Sequence, residues 1–451
     1  MAARLRHRGD ARVSHGDRLW TVTEHLESIL GQLAPLDPIE LPLLDAQGCV
    51  LVDDVTVPVA LPPFENSSMD GYAVRIADTK AATAEHPAVL GVVGDVAAGR
   101  GDLPTVGPGQ AARIMTGAPI PPGAEAVVPV EWTDGGAGGG PASTMAPHSV
   151  DPSGAAGEVR VHRPAEAGLF VRARGSDATA GELALAAGTV LGPPQIGLLA
   201  AIGRGTVTVR PRPRVVVLST GSELVQPDEA LGPGRIHDSN SFALTAAARA
   251  AGAIAYRVGA VTDEVETLRA AIEDQLIRAD VVVTSGGVSV GAYDVVKEAL
   301  SSLGDSFGDD ARSAAGHVEF RKLAMQPGKP QGFGRIGPAR TPLLALPGNP
   351  VSAYVSFELF VRPVIRTLMG LSDVHREVVR AACVTAIDSS PEGRRQFLRG
   401  HYDRLTGTVT PVGGAGSHLV KALAYADALI VVPEAVTSIE AGEEVDVVLL
   451  D

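Results

Sequence analysis

Cysteine is scarce: Cys49 and Cys383 are the only two in 451 residues. They lie far apart, with no CxxC and no Cys/His cluster, which argues against a disulfide framework or a zinc site. Aromatic residues make up only 4%, so the cores must be built from Val, Leu and Ala. No apolar run approaches the ~18 residues that a membrane-spanning helix requires. Basic residues are also short, with 38 Lys and Arg against 52 Asp and Glu and a net charge of −14. No broad basic face follows from that balance, which argues against nucleic acid as the main partner. Local cations can still hold small anions. The first dozen residues contain Arg4, Arg6, Arg8 and Arg12 but no hydrophobic stretch of signal-peptide type, so a cytoplasmic protein is expected.

Glycine and proline are abundant, at 52 and 33 residues. Together they form about 19% of the chain, above the ordinary ~12% and below the roughly 25–30% of disordered composition. This describes a folded protein with many turns. Its length allows two to four domains.

The stretch Ser285–Asp294, SGGVSVGAYD, follows the run Val281 to Thr284. A β-branched run breaking into glycines reads as a buried strand ending in a tight loop. Gly286 and Gly287 can take φ > 0 and approach a ligand closely. Ser285 and Ser289 add hydroxyls, and Asp294–Leu303 is helix-like. Strand, glycine loop and helix N-terminus together form a phosphate-holding geometry. One such loop alone reads more simply as a plain strand-to-helix turn, but two more occur. Thr220-Gly221-Ser222-Glu223 follows Arg214–Ser219. Pro347-Gly348-Asn349-Pro350 follows Leu343–Leu346, where Asn349 suits an N-cap and Pro350 the first helical position. A helix over Val351–Thr367, interrupted by Pro363, comes next. Three such loops predict one crevice at the carboxyl edge of a parallel sheet, suited to a phosphorylated small molecule.

Elsewhere, apolar spacing predicts a helix within Leu19–Leu33. Arg113 to Met115 and Ala126–Val130 read as strands, and Asp134–Gly157 as an exposed insertion. Between Arg214 and about Gly370, strands at Arg214–Leu218, Ala255–Val261, Asp280–Thr284 and Leu343–Leu346 alternate with helices at Phe242–Ala251 and Glu264–Ile277. Asp263 and Glu266 suit a capping box. This alternation predicts a parallel sheet with helices on both faces. Beyond Ser372 short strands at Arg376–Thr385, Gln396–Tyr402, Ala428–Val432 and Glu444–Leu450 indicate a small β domain.

The motifs in order are Pro62-Pro63-Phe64, Asn66 to Tyr72, Arg113 to Pro119, Ser219-Thr220-Gly221, Asp238-Ser239-Asn240, Ser285 to Gly291, Pro327-Gly328-Lys329-Pro330, Leu346 to Ser352, and Gly416-Ser417-His418. Their joint order resembles the molybdopterin molybdenumtransferases, bacterial MoeA and the gephyrin E domain, over residues 15 to 451. The resemblance implies an α/β plus β, L-shaped multidomain chain. A discontinuous helical domain (15–57 with 155–211) would carry an inserted β domain (58–154). A MogA-like three-layer α/β molybdopterin-binding domain (212–371) and a C-terminal β domain (372–451) would follow. It further implies a head-to-tail homodimer whose active site lies between the α/β and C-terminal domains of one subunit and the Asp70-bearing domain of the other. The implied reaction inserts molybdate into adenylylated molybdopterin and releases AMP, with Mg²⁺ assisting.

On that reading Gly286, Gly287, Val288 and Ser289 cradle phosphate, with Thr220, Gly221 and Ser285 beside them. Asp294 takes pterin N–H donors, orients the loop, or caps the helix. Lys329, next to Pro330, is a compact cation for molybdate or phosphate. Arg394 and Ser417 stand where family members contact molybdate, and Thr116, Asn349 and Ser352 lie on or beside loops. Asp70 is placed to hold Mg²⁺ or a water, although an Asp before Gly is also a common turn residue. Asp238 and Asp263 are further catalytic carboxylates, Asp263 also a metal ligand, and His418 reads as structural. Three positions depart from the family: Ser176 replaces a glutamate, Ser222 an aspartate and Gln326 a lysine. Loss of one transition-state contact is worth about 2–4 kcal/mol. A gephyrin-like scaffold binding a receptor tail or cytoskeletal protein is the alternative from a different class. A MogA-type adenylyltransferase is a third reading, which the Asp70 region opposes.

Overall fold

The structure is a computed structural model that describes residues 19–99, 101–146, 157–262, 264–287, 298–299 and 318–450. Two compact units are present, one comprising Asp53–Thr206 and the other the chain up to Val52 and from Val207 onward.

In the larger unit a six-stranded sheet runs in the order Ile254–Val261, Arg214–Thr220, Val281–Ser285, Thr341–Leu346, Pro330–Ile336, Val318–Lys322. The first four strands are parallel. The last two pair antiparallel, so the sheet is mixed and not wholly parallel as the sequence pattern predicts. Pro330–Ile336 escapes sequence reading because Pro330, Gly332, Gly334 and the polar Gln331 and Arg335 leave it without a strand-like apolar pattern, and Val318–Lys322 is only five residues long. Side chains of the central strands alternate between two cores, as a period of two requires. Val215, Val217, Val281, Val283, Leu344 and Leu346 enter one core, and Val216, Leu218, Val282, Leu343 and Ala345 the other. Burial on both faces explains why these strands are continuously apolar.

Helices Asn240–Ala250 and Val265–Leu276 connect the parallel strands. Asp263 lies outside the described residues, and the helix takes Glu264 as its N-cap with no side-chain cap bond, so the expected capping box with Glu266 is not formed. The segment after Asn349 forms α-helix Pro350–Ser356, a π-helical turn Phe357–Val361, and α-helix Arg362–Leu368. Pro363 cannot donate to the preceding turn, and the π turn sits directly ahead of it. Asn349 occupies the N-cap position without a side-chain cap bond. The N-terminal helix Val22–Leu30 is closed by a reciprocal capping box between Thr21 and Glu24.

The last domain closes on itself. Strands Arg395–Asp403, Thr408–Pro411, Val378–Cys383, Glu444–Leu449 and Ala428–Val432 pair in turn, and Ala428–Val432 returns to Arg395–Asp403. Closure removes the unpaired edges of a five-stranded barrel.

The smaller unit holds a five-stranded sheet with Gly71–Val74 between Gln110–Ile114 and Ala126–Pro129. A Cβ on Gly71 would stand 2.0 Å from the Val128 carbonyl oxygen, so only glycine fits there. Residues 134–146 of the expected insertion are fastened, not simply solvated. Asp134 Oδ1 accepts from the amides of Gly136 and Arg160, and Ala142 N and Ala146 N donate to Thr133 O and Gly135 O.

Candidate functional site

The parallel strands end in register. Ser219 pairs with Ser285, and Ser285 with Leu346, so the three glycine loops leave the sheet side by side. They also touch. Gly286 N donates to Leu346 O at 3.1 Å, and a Cβ on Gly348 would lie 3.3 Å from Gly286 Cα. Gly286 has φ +101°, and a Cβ there would meet Thr220 O at 2.4 Å. The backbone approach is therefore tight enough to demand glycine at a positive φ. Gly287 has φ +69°, and Gly221 N donates to Val261 O. Val288, Ser289 and Asp294 lie outside the described residues.

Beneath this edge is a buried polar network. Asp238, 1% exposed, accepts from Ser219 Oγ at 2.8 Å, from Ser241 N at 3.1 Å and from Ser241 Oγ. Arg257 stands 4.0 Å from Oδ2, the oxygen that also accepts from Ser241 Oγ. Ser219 Oγ and Ser285 Oγ are 3.3 Å apart. Asp238 thus faces these partners and ties two strand ends to the start of helix Asn240–Ala250. Asn240 Nδ2 donates to Gly348 O at 2.7 Å, which holds the third loop. The Thr220 hydroxyl is buried and makes no hydrogen bond among the described residues. A buried polar atom left unpaired is costly, and at a loop mouth it is available to a ligand.

The remaining expected residues of this unit converge through backbone bonds. Val351 N donates to Ser417 O at 3.0 Å, which joins the Ser417 loop to the helix that carries Ser352. Leu323 N donates to Lys329 O at 2.7 Å, and Arg395 N to Ala324 O at 2.9 Å. The Lys329 turn, which ends at Pro330, and the segment after Arg394 therefore meet at the consecutive residues Leu323 and Ala324, between strands Val318–Lys322 and Met325–Gln326.

In the smaller unit Asp70 immediately precedes Gly71–Val74, and Thr116 follows Gln110–Ile114 by two residues. The antiparallel partnership of Gly71 with Ile114 brings them together. Asp70 Oδ1 accepts from Thr116 N at 2.7 Å and from Thr116 Oγ1 at 2.9 Å. Asp70 lines a cavity of about 370 Å³ with Asp95, Arg113, Met115 and the wall Ser143 to Ala146. Among the described residues no cluster of three or more His, Cys, Asp or Glu could hold a metal. A single carboxylate still fits Mg²⁺, which is commonly held by one or two carboxylates plus substrate phosphates.

Family models match three successive segments of the chain. Residues 20–203 match the MoeA N-terminal region (domain I and II), 216–367 a probable molybdopterin binding domain, and 386–450 the MoeA C-terminal region (domain IV). Molybdopterin molybdenumtransferase 2 of Mycobacterium tuberculosis is 45% identical over 427 residues, covering 95% of this chain and 98% of that one. The chain belongs to the molybdopterin molybdenumtransferase family. The Bacillus subtilis molybdopterin molybdenumtransferase is 34% identical over 403 residues, or 89% of this chain and 87% of its own. The crystal structure of the MoeA molybdopterin biosynthesis protein from Pyrococcus horikoshii superposes with a TM-score of 0.70 at 32% identity, covering 96% of this chain and 100% of that one.

Sequence reading missed a buried arginine beside the Ser417 loop of this molybdenumtransferase chain. Arg399 is 2% exposed. Its guanidinium donates to Gly416 O at 3.2 Å and to Gly414 O, and burial lowers its pKa from the ordinary arginine value. It straps down the loop that carries Ser417. No local signal marks it, because Gln396 to Gly400 are all buried and show no in-out alternation.

Proposed function

We propose that the protein inserts molybdate into adenylylated molybdopterin and releases AMP, with Mg²⁺ assisting. The observation that carries this reading is the flush alignment of the Thr220, Gly286 and Gly348 loops within the segment matching a molybdopterin binding domain. A pyrophosphate-bearing substrate and an oxyanion need amide donors and a few cations, not a basic surface. The glycine loops and the Thr220 hydroxyl supply donors to the pyrophosphate. Lys329, Arg394 and Ser417 contact molybdate, and Ser352 and Asn349 border the same loops. Asp238 acts from below by fixing Ser219 and Ser285. Asp70, oriented by Thr116, would hold Mg²⁺, which would neutralise the charge that develops as a molybdate oxygen or water attacks the phosphoanhydride and AMP departs. A homodimer is part of this reading. The names of the relatives favour the transferase over the scaffold.

The test is a single-turnover assay with adenylylated molybdopterin, Mg²⁺ and molybdate, following AMP. Molybdate-dependent AMP release is the expected result. Substrate binding without turnover would overturn it and return the scaffold reading. Sedimentation of the same preparation checks the dimer.

A further inference from the structure

Gln331 makes two hydrogen bonds from one nitrogen in a site closed to water. It is 1% exposed. Nε2 donates to Gly328 O at 2.7 Å and to Ser356 Oγ at 2.6 Å. Gly328 is the second residue of the turn Pro327-Gly328-Lys329-Pro330, with φ +104°, and a Cβ on it would stand 3.0 Å from Ser356 Oγ. The turn is thus pressed against helix Pro350–Ser356. Ser356 and Ser352 are four residues apart and share one face of that helix, and both are buried. The bonds of Gln331 dock the lysine-bearing turn on the helix face that also presents Ser352.

We propose that Gln331 is a positioning residue for oxyanion binding. It fixes the Lys329 turn relative to Ser352, so that the lysine is held where the anion binds and not left to sample a mobile turn. This rests on the reading of Lys329 as a molybdate contact. The Lys329 side chain is flexible, so its contribution depends on how firmly its backbone is held.

The experiment is a double-mutant cycle on the full chain, reading KM for molybdate and kcat separately. Gln331→Leu leaves the Gly328 carbonyl and Ser356 hydroxyl unpaired, and a rise in KM of about tenfold with little change in kcat is expected. In a Lys329→Ala background the same substitution should add nothing, because coupled residues are not additive. Equal effects of Gln331→Leu in both backgrounds would overturn the proposal. So would an unchanged KM in the folded single variant. If Gln331→Leu does not fold, Ser356→Ala removes only one of the two bonds and enters the same cycle with the same criteria. A Lys329→Ala variant with unaltered molybdate KM would instead remove the lysine reading itself, which separates the two failures.

Discussion

Arg399 donates through Nη1 to the carbonyl oxygen of Gly416 at 3.2 Å, and no carboxylate pairs with it among the described residues. A buried cation held only by neutral carbonyls is expensive. In an oxyanion-handling protein it also places positive charge directly behind the Ser417 loop.

Replacing Arg399 with Met is therefore expected to free the loop while relieving the desolvation of the charge. Thermal stability should change by less than about 2 kcal/mol, because the two effects oppose each other. Molybdate-dependent turnover should fall at least about tenfold. Full turnover in the folded Arg399→Met protein would show that the loop needs no strap.

Gly286→Ala introduces a Cβ 2.4 Å from Thr220 O at a φ of +101°. Positive φ and the clash act together, and a cost of about 1–3 kcal/mol is expected. Calorimetry should show a lower Tm, and titration with molybdopterin a weaker affinity. A variant with wild-type affinity would exclude this loop from the pterin phosphate site.

Asp70 and Thr116 are both exposed, so their paired bonds contribute only about 1 kcal/mol each to stability. Asp70→Ala should leave the fold intact and lower the Mg²⁺-dependent rate by about 10²–10³-fold. Thr116→Val should have a smaller effect, since the backbone amide still reaches the carboxylate. Comparable rates for Asp70→Ala and wild type across a Mg²⁺ titration would remove Asp70 from the chemistry.

His25 makes an edge contact with Phe360, and burial with the nearby Arg321 guanidinium lowers its pKa to about 3. Its unfolded value is near 6.5, so between these limits the unfolded state binds the extra proton. Stability should be full above pH ~6.5 and fall by up to about 1.4 kcal/mol per pH unit towards pH ~3. His25→Gln should flatten that acid limb in urea denaturation. An unchanged limb would mean that His25 is protonated in the folded state.

The sequence alone determined the parallel strands, the closing β domain and the three glycine loops. Each is a local pattern: β-branched runs, alternation, and glycine where a Cβ cannot fit. The family motifs likewise lie within short windows. Tertiary structure decided what those windows face. It turned Asp238 into a buried brace between Ser219 and Ser241, and made Pro330–Ile336, to which the sequence pattern assigns no element, an antiparallel strand. It also built Gln331 and Arg399 into the supports of the Lys329 and Ser417 loops. None of these roles has a local signature, because each depends on a partner on another element, 19 residues away for Asp238, 25 for Gln331 and 17 for Arg399, and on exclusion of water. An arginine or glutamine reads as surface until the fold closes around it.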